Sequence, residues 1–524
     1  MRNFRPARIT PLVALLAVSG CTMGPDFHAP EAPAVTGYTA SPLPATTQST
    51  PVALGSAQHF ETVSKQGNEQ WWHSFGSPKL NRLIDEAFAA NPTIAAAQAT
   101  LQQAQQTLAA QRGSTLYPRA NLNLSGERML FNPAAFGQPG QSSIFNLYNA
   151  NVGVSYLFDL FGANRRSLEA YAAQSDYQTH ELRAARLTLA GNLVTAAMTE
   201  AGIAAQIEAT QQILDIQRRQ LDIARQRQSI GALGLVDVLS LQTQMEQTRA
   251  TLPPLNERLQ QEHHLIATMC GKTPGEFQPV DFTLADFHLP EHLPQVVPSQ
   301  LVRQRPDIQA AEAMLHSANA QYGSAVAGLY PQINLTGSLG QEALTTGSLF
   351  NPQAAVWSLA AQLTQPLFDA GLHAGVLAAR ANLEAVGANY RQTVLQAFRN
   401  VADALRALDD DAQTLNADAN ADNAAQTSQD LVGQQYRLGS ASYLQWLTAQ
   451  QQAQQTRINL IGAQTLRLTD TAALYQAMGG AWIPDQDKPS VQSRSGEANL
   501  AVYFRSHAQY AMPFTSPWTQ EVTL

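Results

Sequence analysis

Residues 163–230 read ANRRSLEAYAAQSDYQTHELRAARLTLAGNLVTAAMTEAGIAAQIEATQQILDIQRRQLDIARQRQSI. The stretch holds no proline and two interior glycines, Gly191 and Gly202. A helix of that length is about 100 Å long, far beyond the ordinary globular helix. Apolar residues recur at heptad spacing, with Ile207, Leu214 and Leu221 in one row and Ile216, Ile223 and Ile230 in a second. A period nearer 3.5 than 3.6 predicts coiled-coil packing against neighbours. The pattern returns between Gly371 and Leu438, where Val394, Phe398, Val401, Leu405 and Leu408 step by 4, 3, 4, 3. Each long helix should run to a glycine turn, at Gly231 and Gly234 in the first case and Gly439 in the second. A return helix of about 35 residues follows each turn, the first from Val236 to Cys270. Two such needles suit a conduit or a strut better than a soluble enzyme.

Upstream of the first needle the chain alternates. A helix is expected from Ser77 to Ala90; Asn91 then caps a second that starts at Pro92 and stops at Tyr117-Pro118. Ala120, Leu122 and Leu124 alternate with Asn121, Asn123 and Ser125, and Val152, Val154 and Tyr156 with Asn151, Gly153 and Ser155. These are two β-strands with one apolar face, forming a hairpin over 119–159. Downstream the order restarts: a helix from Ser299 renewed at Arg305-Pro306-Asp307, a stop at Tyr330-Pro331, a hairpin over 332–369, and the second needle. Leu116-Tyr117-Pro118 matches Leu329-Tyr330-Pro331, Leu157-Phe158-Asp159 matches Leu367-Phe368-Asp369, and Gly231 matches Gly439. The offset stays near 210 residues, which predicts a two-fold internal repeat and a pseudo-symmetric ring. The expected organisation is a first repeat over 71–280 with a helical hairpin at 163–270. A linker covers 281–298, and a second repeat covers 299–482 with a helical hairpin at 371–478. Trp71-Trp72, with Phe75 and Leu80, reads as a packing cluster that opens the folded body.

The ends differ from the body. Residues 1–20 carry Arg2, Arg5 and Arg8 ahead of a short apolar run, the pattern of a signal peptide. Val18-Ser19-Gly20-Cys21 resembles the lipobox of bacterial lipoproteins, which makes Cys21 the lipidated mature N-terminus. Thr22, where an aspartate would favour inner-membrane retention, points to the outer membrane. Lipid uses one of the two cysteines and leaves Cys270 without a disulfide partner. Residues 21–70, rich in Pro, Ala, Thr and Ser, read as an extended anchored segment. Residues 483–524 read as a poorly ordered polar tail.

Composition narrows the function. Charged residues are 14% of the chain, against about 25% in ordinary soluble domains, and net charge is −8. No basic patch with interleaved aromatics is present, so nucleic-acid binding is not expected. Gly271-Lys272-Thr273 lacks the upstream glycine of a phosphate loop, since Ile266 stands there. Glu262-His263-His264 lacks the spacing of a zinc helix motif. Asp409, Asp410 and Asp411 read as a solvated helix face, with a cation-attracting ring as the sharper alternative. No nucleophile–base constellation is apparent, so neither an enzyme, a metal site nor a cofactor is expected.

The strands constrain the assembly. The smallest outer-membrane barrels need about eight strands, and four cannot close one. Open edges in lipid would leave backbone groups unsatisfied at several kcal/mol each. If the hairpins enter a membrane, several chains must share one barrel. The residues thus predict a mainly α protein with a small β part, assembled as a homo-oligomeric tube. The rival is a periplasm-spanning structural lipoprotein with no transport role, which has no need of amphipathic strands.

The chain also resembles the outer membrane efflux lipoproteins of the TolC superfamily, NodT or OprM type, over about residues 10–480. The resemblance is carried by Trp71-Trp72 with Phe75 and Leu80, and by Pro298-Ser-Gln-Leu-Val-Arg-Gln-Arg-Pro-Asp307. Leu335-Thr-Gly-Ser-Leu-Gly340, Tyr390-Arg-Gln-Thr-Val-Leu-Gln-Ala-Phe398 and Val401-Ala-Asp-Ala-Leu405 carry it further. It implies a homotrimer in the outer membrane, with four strands per chain in one 12-stranded transmembrane barrel continued by an α-barrel through the periplasm. It implies the exit duct of a tripartite efflux pump for drugs or other small toxic compounds. A periplasmic adaptor and an inner-membrane transporter, commonly of the resistance–nodulation–division type, complete such a pump. By the same resemblance the periplasmic gate lies at the helical turns. Tyr436 matches a gate tyrosine of some members, Asp237 its partner in the other repeat, and Leu444 a gate leucine. Gln445 and Thr448 stand where different members place acidic residues lining the constriction.

Overall fold

The computed structural model describes residues 22–35, 37–42, 44–62, 70–137 and 139–480. Cys21, the leader and the 483–524 tail lie outside the described residues. The architecture is mainly helical with few strands. A short parallel ladder pairs β1 (His59–Thr62) with β4 (His292–Gln295). A separate antiparallel sheet has the order β2 (Arg119–Phe131), β3 (Ser143–Phe158), β5 (Gln332–Ala343), β6 (Ala355–Thr364). The helices are α1 (Pro78–Ala90), α2 (Pro92–Leu116), α3 (Ala163–Ser229), α4 (Leu235–Ala250) and α5 (Leu252–Met269). Then come α6 (Pro298–Gln304), α7 (Pro306–Ala327), α8 (Ala370–Arg437) and α9 (Tyr443–Ala477).

Local chemistry explains the boundaries. Ser77 Oγ accepts the Leu80 N–H, and Pro78 sits at the first helical position of α1. Asn91 Oδ1 accepts the N–H groups of Thr93 and Ile94 at 2.8 and 3.2 Å and starts α2. Asp369 caps α8 through Gly371 and Leu372. The Gly271-Lys272-Thr273 stretch is a helix end: Gly271 has φ +69°, and the Lys272 N–H reaches back to the Ala267 carbonyl.

The long helices α3 and α8 have 67 and 68 residues. In α3 the Ile207, Leu214, Leu221 row is buried, whereas Ile216, Ile223 and Ile230 are exposed in the single chain. In α8 Val394, Val401, Leu405 and Leu408 are buried. The first return path departs from expectation. It is two helices, α4 and α5, meeting at Thr251. Pro253 and Pro254 cause the break, because neither has an N–H to donate and both rings clash with the preceding turn.

The main core gathers Trp71, Trp72 and Phe75 against Leu193 and Met198 of α3, Ile266 of α5, Leu405 of α8 and Tyr475 of α9. Trp71 stacks on Tyr475 at 5.5 Å. The N-terminal segment is tied into this region more firmly than an extended tether would be. Tyr38 Oη donates to the Val296 carbonyl at 2.6 Å. The fully buried Arg467 donates to Ser56 O at 2.7 Å and Thr47 Oγ1 at 3.1 Å. The three-aspartate reading also needs correction. Asp410 is exposed, but Asp411 turns inward with Oδ2 buried and unpartnered, facing Asp470 and Arg467. One turn of α8 cannot keep three successive residues in water while Leu408 and Ala412 beside them are buried.

Candidate functional site

Over its middle rows the four-stranded sheet has an apolar and a polar face. Registered neighbours across strands share a face, and Leu122, Val152, Leu339 and Trp357 form one row across all four strands. Leu122, Leu339 and Trp357 are 69%, 68% and 78% exposed, an arrangement water penalises. The other face is polar. Asn123 donates to Asn151 at 3.1 Å, Asn151 to Asn149 at 2.7 Å, and Asn149 to Glu342 at 3.2 Å. Among the described residues neither β2 nor β6 has a partner on its outer edge.

Far from the sheet along the helices stand the two turns. Gly231 and Gly439 both have φ +76°, a left-handed conformation that glycine takes without a Cβ penalty. Gly234 precedes α4, whose first turn holds Asp237, close to the favourable positive end of the helix. In the second turn Ser442 caps α9, and Gln445 closes the cap: Gln445 Oε1 accepts the Ser442 N–H at 2.7 Å. Thr448 donates its hydroxyl to the Leu444 carbonyl at 2.9 Å. Leu444 is 70% exposed, so within the chain it is not a core leucine.

Tyr436 does not hydrogen-bond Asp237 within the chain among the described residues. An aromatic group lies between the turns instead. Tyr436 stacks on Trp446 at 5.0 Å and 13°, and Tyr443 packs edge-on against both. Tyr443 also touches the small core of Leu221, Ala224, Val238 and Leu241, which joins the α8–α9 tip to the α3–α4 tip. Its hydroxyl is buried without a hydrogen-bond partner among the described residues. Burial raises its pKa, and the nearby Tyr436 and Asp237 push the same way. Trp446 and Tyr443 were not foreseen as site residues. Their i, i+3 spacing on α9 was the available signal, and only the packing reveals their partner on α8.

Above the tip the helices meet through glutamine. Gln217 Nε2 donates to Thr248 Oγ1 at 3.1 Å, Gln451 bonds Gln244, and Gln454 reaches Thr248. A cavity of about 190 Å³ opens there, lined by Gln212, Gln426, Gln429 and Gln450 among others. Such surfaces are wettable and nearly uncharged, and they hold no nucleophile paired with a base.

One titratable cluster escaped the sequence reading. Glu200 of α3, His263 of α5 and Asp281 of the following connector converge, although they are distant in the chain. Burial pushes the Glu200 carboxyl up to about 8; the Phe282 N–H opposes this, and Asp281 and Glu262 add to it. Burial lowers the pKa of His263, against the pull of Asp281.

The family model described as outer membrane efflux protein matches residues 83–272 and 297–480. The chain is 29% identical over 489 residues to the antibiotic efflux pump outer membrane protein ArpC of Pseudomonas putida, covering 92% of this chain and 97% of that one. It is 28% identical over 500 residues to the outer membrane protein OprJ of Pseudomonas aeruginosa, covering 94% and 98%. The solved structure of the outer-membrane channel OprN superposes with a TM-score of 0.78 at 26% identity, covering 88% of this chain and 99% of that one.

Proposed function

This chain belongs to the outer membrane efflux protein family, and from that premise we propose its place in a pump: it is the outer-membrane channel of a tripartite efflux pump. An adaptor and an inner-membrane transporter complete that pump. ArpC is named for antibiotics and other relatives for toluene; drugs or other small toxic compounds are the cargo class proposed here. The transporter proposed is of the resistance–nodulation–division type.

The observation that carries the finer reading is the unclosed amphipathic sheet. Its apolar face is bare, and its edges β2 and β6 are open. In lipid such edges cost several kcal/mol per unsatisfied group. Three chains, with β2 of one beside β6 of the next, would supply twelve strands and close the barrel. Exposure of Ile216, Ile223 and Ile230 supports the same trimer lower down, because a second heptad row needs a neighbouring helix. The recurrence of helix, hairpin, long helix and return helix supports a two-fold repeat, which in a trimer would give six similar hairpin units around one axis. Lipid on Cys21 would add anchoring by acyl burial. The gate would form where three copies of each turn meet, with Leu444 projecting toward the axis.

Native mass spectrometry and planar-bilayer recording of the full-length protein in detergent test this reading. A trimer that conducts supports it. A folded monomer overturns the shared barrel, and a trimer that never conducts favours the structural lipoprotein.

A further inference from the structure

Glu200 and His263 are 2% and 8% exposed, and Asp281 lies at the surface beside them. One ligand atom from each of the three falls within 4.8 Å of the others. His263 Nε2 is 3.2 Å from Glu200 Oε1. Two ligands bound at about 2.0–2.1 Å to a tetrahedral zinc sit about 3.3 Å apart, so one edge of a coordination polyhedron is already in place. His263 Nδ1 is buried with no partner among the described residues, which leaves the Nε2 side as the ring's engaged face. The third ligand is held close by its backbone. The Phe282 N–H donates to Glu200 Oε1 at 3.2 Å, and Lys79 Nζ donates to the Asp281 carbonyl at 3.1 Å. Lys79 is itself paired with Asp286 at 3.0 Å, so the charge it offers Glu200 is shared with a second carboxylate.

We propose that Glu200, His263 and Asp281 bind one Zn²⁺, which clips the connector 270–291 onto α3 and α5. The donors select the cation class. Ca²⁺ and Mg²⁺ take oxygen ligands, so a buried imidazole nitrogen argues against both. Cu(I) seeks thiolate or thioether, and the cluster has neither. One imidazole and two carboxylates suit the borderline Zn²⁺, with water in the remaining position. With His263 as its Nδ1–H tautomer, Nε2 gives its lone pair to the ion, and the proton on the Glu200 carboxyl leaves to solvent. The ligands come from two helices and a connector, so binding fixes three elements at once.

The test uses the full-length protein in detergent, stripped with EDTA, loaded with Zn²⁺ and desalted. Metal content by mass spectrometry should be one zinc per chain, and Co²⁺ loading should give visible ligand-field bands of a low-coordinate site. His263→Gln should remove the bound zinc. Asp281→Asn, at an exposed position that leaves the core intact, should weaken binding about tenfold or more and abolish the rise in melting temperature that Zn²⁺ gives the parent chain. Zinc below one per chain in the parent, or equal zinc in the parent and both variants, overturns the proposal. Bilayer conductance plays no part in these readouts, so the outcome is independent of the channel reading.

Discussion

Asp411→Asn is the sharpest test of how the helical body is held together. Asp411 and Asp470 face each other in a half-buried pocket beside Arg467. Two facing carboxyls resist ionising together, so one keeps its proton to higher pH. Burial pushes Asp411 from 3.8 up to about 7; Asp470 adds to the shift, and Arg467 opposes it. The sign follows directly. Between pH 3.8 and about 7 the folded chain binds a proton that the unfolded chain has lost, so raising the pH through that window lowers stability. The full shift corresponds to about 4 kcal/mol, and partial exposure with the adjacent guanidinium leaves ~1–2 kcal/mol. Asparagine presents an N–H to Asp470 at every pH and removes the ionisation of Asp411, while Asp470 keeps the upward push of its own burial. Thermal unfolding at pH 5 and pH 8, at fixed scan rate and detergent, should show the variant gaining on the parent by ~1–2 °C at pH 8 relative to pH 5. Glu200 shifts in the same direction in both chains and cancels in the difference. A parent–variant gap that does not change with pH refutes the proton retained at Asp411.

Other consequences follow from the same packing. Leu214→Ala removes a side chain that is 1% exposed and should cost roughly 2–5 kcal/mol of chain stability. Ile223→Ala, 52% exposed in the chain, should leave each chain folded while lowering the trimer fraction seen by native mass spectrometry. The mature N-terminal peptide should begin at Cys21 with acyl mass added, and an unmodified peptide would rule out the anchor. At the tip, Leu444→Ala combined with Asp237→Ala should raise bilayer conductance with little loss of stability, because neither side chain belongs to the main core. Conductance equal to the parent's would remove these two residues from the gate.

The legible parts of this chain are those written in short-range spacing. The heptads of α3 and α8, the Asn91-Pro92 start and the alternating strands each depend on residues within a few positions of one another. The proline pair that splits α4 from α5 was equally local, yet the heptad rhythm on both sides masked it. Ser442-x-x-Gln445 was also readable as a capping box, and its resemblance-based reading as a constriction residue overlooked the cap. By contrast, β1 and β4 have four residues each, too few for a periodic signal, and they pair across more than 200 positions. The inward turn of Asp411 depends on Asp470 and Arg467 of another helix, which no spacing within α8 encodes.

The same distinction separates the two ends of the molecule in physical terms. The sheet carries its instructions in its own alternation, since a face of Leu, Val and Trp avoids water, and in the proposed trimer its open edges would pair with a neighbouring chain. The tip carries almost none. Its closing contacts are a stacked Tyr436–Trp446 pair, the Tyr443 ring between two hairpins and exposed leucines, each worth on the order of 1 kcal/mol. In the proposed trimer this inequality has a use: the sheet end would be fixed by backbone pairing between chains, and the tip, held by a few weak side-chain contacts, would yield to a docking partner. Replacing Trp446 by alanine therefore bears on the tip alone: the strands lie about 100 Å away along α8, and no part of their closure depends on it.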